Sequence, residues 1–180
     1  IESVFSTAAG MEIFHNFTLL HDDLMDKADM RRGRPTVHKK WNENVAILSG
    51  DGMLVLAYRY LSMTSGPELK RILDLANETF TGIMEGQQYD MDFEERTDVS
   101  EAEYIEMIRL KTSVLLGGAL QMGAIIADAS PENQQLLYDF GVNLGIAFQL
   151  QDDILDVYGD PQTFGKQVGG DILSNKKTLL

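Results

Sequence analysis

One device occurs twice in this chain. "LLHDDLMD" at positions 19–26 and "FQLQDDILD" at 148–156 both run from apolar residues into Asp-Asp-x-x-Asp. On a helix, residues four apart share a face, so Asp22 lies over Asp26 and Asp152 over Asp156. Like charges at that spacing destabilise a helix, and more so near its C-terminal end, where the helix dipole is already negative. A chain that does this twice needs a compensating cation. Mg²⁺ fits, because it is hard, takes oxygen ligands and is held by one or two carboxylates together with phosphate and water. Two facing clusters could hold two or three ions and clamp a multiply charged oxyanion.

The residues around the clusters point the same way. Arg31, Arg32 and Arg34 follow the first cluster, with Gly33 among them to admit close approach of the backbone. Lys166 follows the second, and Lys111-Thr112 interrupts an otherwise apolar helical face. Cations on one side and metal-binding carboxylates on the other suit a diphosphate. The aliphatic surroundings suit a hydrocarbon as the rest of the ligand.

The periodicity is helical almost throughout, which predicts an all-α single domain over 1–180. Helices are expected over 4–30, 43–63, from Pro67 to about Asp92, from a Ser100/Glu103 capping box to about Asp128, and from Ser130-Pro131 to about Tyr158. "RRGRPTVHKKW" is expected as a loop, and no run is long enough for a confident strand. Gly117-Gly118 inside a helix predicts a close helix contact, with a subunit interface as one place for it. Trp41 and the methionines are expected in packing. "DMDFEERTDVSE" at 90–101 has EF-hand-like acidic spacing, but Glu95 stands where a calcium loop turns on Gly, so that reading is rejected.

Composition removes several classes. A net charge of −13 opposes non-specific nucleic-acid binding. No apolar run approaches the ~18 residues of a spanning helix. With no cysteines there are no disulfides or thiolate zinc sites, which fits a reducing cytoplasm. The first residues read as a helix already under way, and the last lack a cap. The domain is therefore expected to be truncated at both ends.

With these motifs in order, joined by "GQQYDMDF" at 86–93, "KTS" at 111–113 and "FGKQVGGDILSNKKTL" at 164–179, the sequence resembles the trans-isoprenyl diphosphate synthases of the polyprenyl synthetase family. The resemblance implies an antiparallel helix bundle of the isoprenoid synthase type around a central apolar cavity. It implies an Mg²⁺-dependent prenyltransferase, with two or three ions per site and Mn²⁺ as a substitute, acting as a homodimer. The implied metal ligands are Asp22 and Asp26 with Asp23 in support, and Asp152, with Asp153 and Asp156 weaker or through water. Arg31, Lys111, Thr112, Gln149 and Lys166 match positions that hold the allylic diphosphate, and the last four form the expected catalytic set. His15 and Arg32 match positions for isopentenyl diphosphate. Gln87 and Asp90 match a Gly-Gln-x-x-Asp element facing the same cavity.

The implied reaction is ionisation of the allylic diphosphate, attack by the isopentenyl double bond, and loss of a proton to a diphosphate oxygen. Phe17, five residues before Asp22, could floor a short pocket, which favours C15–C20 products. The alternatives are a longer-chain synthase, a terpene cyclase and a non-catalytic subunit. The family's upstream Gly-Lys-x-x-Arg-Pro element and its C-terminal helices are absent from these 180 residues.

Overall fold

In the computed structural model, described for residues 2–159 and 175–179, the chain is helical apart from one hairpin. It divides into two compact units, Ile1–Leu73 and Asp74–Leu180.

In the first unit, α1 (Glu2–Met25) packs against α3 (Glu43–Leu61). Early residues of one meet late residues of the other, so the two helices are antiparallel. Thr7 and Thr64 share a buried hydrogen bond of 2.8 Å, Gly10 lies against Ala57 and Leu61, and His21 lies against Gly50. Phe14, Ala46, Ala57 and Leu61 are fully buried and form the centre of this pair. Asn42 caps α3, accepting from the Val45 amide at 2.9 Å.

The helix expected over 4–30 stops at Met25. Lys27 turns left-handed at φ 53°, and the amides of Lys27 and Ala28 bond back to the carbonyls of Leu24 and Asp23. This is a Schellman end, with Lys in the place usually taken by Gly. The loop expected next is instead a hairpin, β1 (Met30–Arg31) with β2 (Arg34–Pro35), followed by the short α2 (Val37–Lys40). Arg32 and Gly33 form its tip, both at positive φ (51° and 74°), as a type I′ turn demands. Gly33 therefore serves the turn. A Cβ there would meet no protein atom within 4 Å, so it is the positive φ that calls for glycine within the fold. Trp41 is 58% exposed beneath the Lys40 ammonium and is not packing, contrary to expectation.

The second unit holds most of α4 (Glu68–Glu94), then α5 (Glu101–Ile108), a π-helical segment (Arg109–Ser113), α6 (Val114–Ile126) and α7 (Pro131–Tyr158). The capping box at Ser100 and Glu103 is formed, and Ser130 caps α7 ahead of Pro131. Packing is again antiparallel: Gly117 of α6 against Gly141 of α7, Ser113 of the π segment against Gly145 of α7, and Gly118 of α6 against Thr79 of α4. The close approach expected at Gly117-Gly118 is thus met inside the chain. Phe93, Tyr104, Met107 and Ile108 form a buried apolar cluster, with Leu150 of α7 packed against it. No described helix is long and apolar enough to cross a membrane.

Candidate active site

The first acidic cluster sits at the C-terminal end of α1, with Asp26 as the capping residue. Its amide bonds to the Asp22 carbonyl at 2.9 Å, which preserves the one-turn spacing. Asp23 is buried. Arg31, carried back by the hairpin, donates from Nε to both Asp23 carboxylate oxygens at 2.8 Å and from Nη2 to Asp22 at 3.5 Å. The hairpin's function in the fold is therefore to return a guanidinium to the helix end. Burial works against the Arg31 charge, but Asp23, Asp22 and Asp26 outweigh it and raise its pKa.

Other expected residues of the first unit lie along α1 and the hairpin. Arg32 is exposed at the turn, and His15 is half-buried. Phe17 is buried, its ring 5.4 Å from Phe14 and 4.7 Å, edge-on, from His21.

In the second unit, the Lys111-Thr112 step lies inside the π segment. Such single-turn bulges often mark functional positions. Ser113, fully buried, donates to the Ile108 carbonyl at 3.3 Å, five residues back. The bulge rests directly on two glycines, Gly86 of α4 against the Lys111 backbone and Gly145 of α7 against Ser113, where a Cβ would fall at 2.3 and 2.6 Å respectively. Lys111 Nζ donates to Asp90 at 2.7 Å, and Lys176 Nζ donates to the same carboxylate oxygen at 2.7 Å and pairs with Glu94 at 2.6 Å. Burial pushes the Asp90 carboxyl up, but the two ammonium groups outweigh it and hold it below the ordinary carboxylate range.

Along α7, Asp152, Asp153 and Asp156 form the second acidic cluster, with Asp153 and Asp156 buried. Thr112 donates to Gln149 Oε1 at 3.2 Å, and Gln149 Nε2 donates to Asp153 at 3.1 Å. Tyr104 donates its hydroxyl proton to the other Asp153 oxygen. Gln87 keeps a buried Nε2 with no hydrogen-bond partner among the described residues, a donor suited to a ligand oxygen or a water. Lys166 lies outside the described residues.

The structure therefore joins Asp22, Asp23 and Arg31 in one unit. In the other it joins Lys111 with Asp90, and Thr112 with Gln149 and Asp153. The sequence reading missed Tyr104, because an aromatic in an apolar segment looks like core. Lys176 lies within the motif at 164–179, and spacing alone gives it no partner.

The sequence profile described as Polyprenyl synthetase matches residues 1–180. The chain belongs to the polyprenyl synthetase family. It is 43% identical over its whole length to a geranylgeranyl diphosphate synthase of Methanosarcina mazei, covering 56% of that protein. It superposes with a TM-score of 0.94 on a crystal structure of a geranylgeranyl pyrophosphate synthase at 56% identity, covering 98% of this chain and 54% of the other. A polyprenyl synthase from Caulobacter crescentus CB15, solved with calcium and isoprenyl diphosphate, matches with a TM-score of 0.90 at 34% identity, covering 97% and 52%. This polyprenyl synthetase chain thus spans about half the length of the relatives it matches. The helical architecture read from the sequence is the family's.

Both acidic clusters offer only oxygen donors, the ligand set of a hard divalent cation rather than a soft one. A divalent metal fits them.

Proposed function

We propose that the intact protein is an Mg²⁺-dependent trans-prenyltransferase that condenses isopentenyl diphosphate with an allylic diphosphate, yielding a C15–C20 prenyl diphosphate, as a homodimer. The observation that carries this reading is the two oxygen-donor acidic clusters, the first paired with Arg31, together with the Lys111 ammonium held on Asp90 in the second unit. Asp22 and Asp26, supported by Asp23, would hold metal at one cluster, and Asp152 with Asp156 at the other. When bound, Mg²⁺ supplies charge neutralisation for a departing diphosphate.

The chain's own residues supply the rest. Arg31 and Lys111 bind diphosphate oxygens, and each is already held in position by a carboxylate, Asp23 and Asp90 respectively. Pre-positioned cations favour a leaving group on which negative charge develops. Thr112 and Gln149 orient the allylic end, Lys166 adds a further cation, and His15 and Arg32 bind isopentenyl diphosphate, with Gln87 donating its buried amide. Apolar walls exclude water from the reactive carbon. The proton leaves to a diphosphate oxygen, so no protein base is required.

The test is product analysis by mass spectrometry on the full-length protein with Mg²⁺, using each allylic starter with and without isopentenyl diphosphate. Elongation that requires isopentenyl diphosphate supports the reading. Turnover of the starter alone indicates cyclisation, and no turnover by the pure protein indicates a non-catalytic subunit. Phe17 sits one turn and a half before the first cluster, its ring packed against Phe14 and His21, and we propose that it floors the product pocket. Phe17→Ala is expected to lengthen the products, and an unchanged distribution would remove that role.

A further inference from the structure

The second Asp-Asp-x-x-Asp cluster is not chemically uniform. Asp153 is only 4% exposed, and both of its carboxylate oxygens already accept hydrogen bonds. One oxygen takes the Tyr104 hydroxyl and the other the Gln149 Nε2. Tyr104 is 3% exposed and anchored in the cluster of Phe93, Met107 and Ile108, packed against Leu150 of α7. An ionised carboxylate can only accept, so Asp153 dictates which way the Gln149 amide points. With Nε2 turned to Asp153, Oε1 faces Thr112 and takes its hydroxyl proton at 3.2 Å. Four side chains from α5, the π segment and α7 thus form one directed chain of donors, from Tyr104 to Asp153 and from Thr112 through Gln149 to Asp153.

We propose that Tyr104 and Asp153 are positioning residues: Tyr104 locks the Asp153 carboxylate, and Asp153 sets the orientation of the Gln149 amide beneath the Lys111-Thr112 bulge. Asp153, both of whose carboxylate oxygens already accept hydrogen bonds, thus acts as a polarity-setting group rather than a metal ligand. The inference rests on the prenyltransferase reading for its kinetic consequence only. The hydrogen-bonded chain itself needs no metal or substrate.

Asparagine at this position is the informative change. Its amide can donate where the carboxylate accepts, so Asp153→Asn lets Gln149 flip and turns its Nε2 toward Thr112. Tyr104→Phe removes one hydroxyl and leaves the apolar cluster filled.

Two measurements on the full-length protein decide the question. In metal-free buffer, melting temperatures are read for Tyr104→Phe, Gln149→Leu and the double variant. The double variant should melt lower than the sum of the two single losses predicts, because the second change leaves the buried Asp153 carboxylate without either donor. Strictly additive losses would overturn the inference whatever the enzyme does. The second measurement is a calorimetric Mg²⁺ titration in inorganic pyrophosphate. Asp152→Asn should weaken binding at least about tenfold and Asp153→Asn at most about threefold, while Tyr104→Phe and Asp153→Asn lower kcat by about 10–100-fold with little change in KM. Equal Mg²⁺ losses for Asp152→Asn and Asp153→Asn would make Asp153 a ligand and end the proposal. A wild-type protein that fails to bind Mg²⁺ with pyrophosphate refutes the prenyltransferase reading instead, and the melting cycle then judges the positioning chain by itself.

Discussion

The two Asp-Asp-x-x-Asp strings are nearly identical as text and unlike as chemistry. In each, the second aspartate is buried, Asp23 at 6% exposure and Asp153 at 4%. Asp23 is neutralised by a full positive charge, the Arg31 guanidinium, brought back by a hairpin that lies outside the helix. Asp153 is held by neutral donors, a phenol and an amide, from within the helical unit. The first arrangement is an ion pair between a helix end and a hairpin. The second is a dipolar network built into packed helices. A shared motif therefore fixes where carboxylates fall along a helix and leaves open how each charge is compensated.

That contrast is exposed to a direct test. Arg31→Leu strands the Asp23 carboxylate in a buried place without its cation, an arrangement that costs about 3 kcal/mol when the partner of a buried pair is removed. Tyr104→Phe removes one of two neutral donors and should cost about 1 kcal/mol. Urea unfolding of the full-length protein would measure both. Adding Asp23→Asn to Arg31→Leu should recover most of the loss, because the stranded charge is gone. Equal costs for the two single variants, or no recovery in the double one, would break the distinction.

Asp90 sharpens the comparison as a third buried carboxylate, compensated by two lysines at once. Its folded pKa lies below the ordinary aspartate value of 3.8, so its stabilising effect is complete above about pH 4 and is lost as pH falls through the depressed value. Asp90→Asn should lower stability at pH 7 by about 2 kcal/mol, the worth of charge-assisted hydrogen bonds to a buried group. The gap between wild type and variant should close in acid, well below pH 3.8. Urea midpoints at pH 7 and in acid read this out. A gap that stays constant would mean the lysines do not stabilise the ionised carboxylate.

How much of this was legible in the residues depends on whether the cause is local. The Ser100/Glu103 capping box and the Ser130-Pro131 start carry their own chemistry and were readable. The end of α1 was not, because its left-handed position holds Lys27 and not Gly. The hairpin escaped notice for the same reason, with Arg32 where a type I′ turn ordinarily shows Asn or Asp. The π bulge at Arg109–Ser113 has no local mark. It depends on Gly86 and Gly145, far away in sequence, leaving room for it. Tyr104 is the plainest case of the limit within the site, since its role exists only where α5 meets α7. Spacing identified the carboxylates and cations, and only packing could say which of them are partners.

The smallest expected effect tests how firmly each cluster is supported. The first cluster's helix meets α3 through a side chain: a Cβ at Gly50 would strike the His21 ring, whose Nε2 lies 3.3 Å from the Ile47 carbonyl at an exposed position. The second cluster's helix meets the bulge backbone to backbone, with a Cβ at Gly145 falling 2.6 Å from Ser113 Cα. Alanine in a helix gains about 1 kcal/mol over glycine in either place. At Gly50 the imidazole can swing aside and water can take its hydrogen bond, so Gly50→Ala should leave stability within about 0.5 kcal/mol of wild type. At Gly145 the backbone itself must shift, an overpacking cost of about 1–3 kcal/mol that outweighs the gain. Gly145→Ala should therefore lose about 1 kcal/mol net, with a greater loss of activity, because the displaced segment carries Lys111 and Thr112. Thermal melts of the two variants side by side measure the difference. Equal melting temperatures would mean that the bulge yields as easily as a half-buried imidazole, and that the second cluster is no more rigidly mounted than the first.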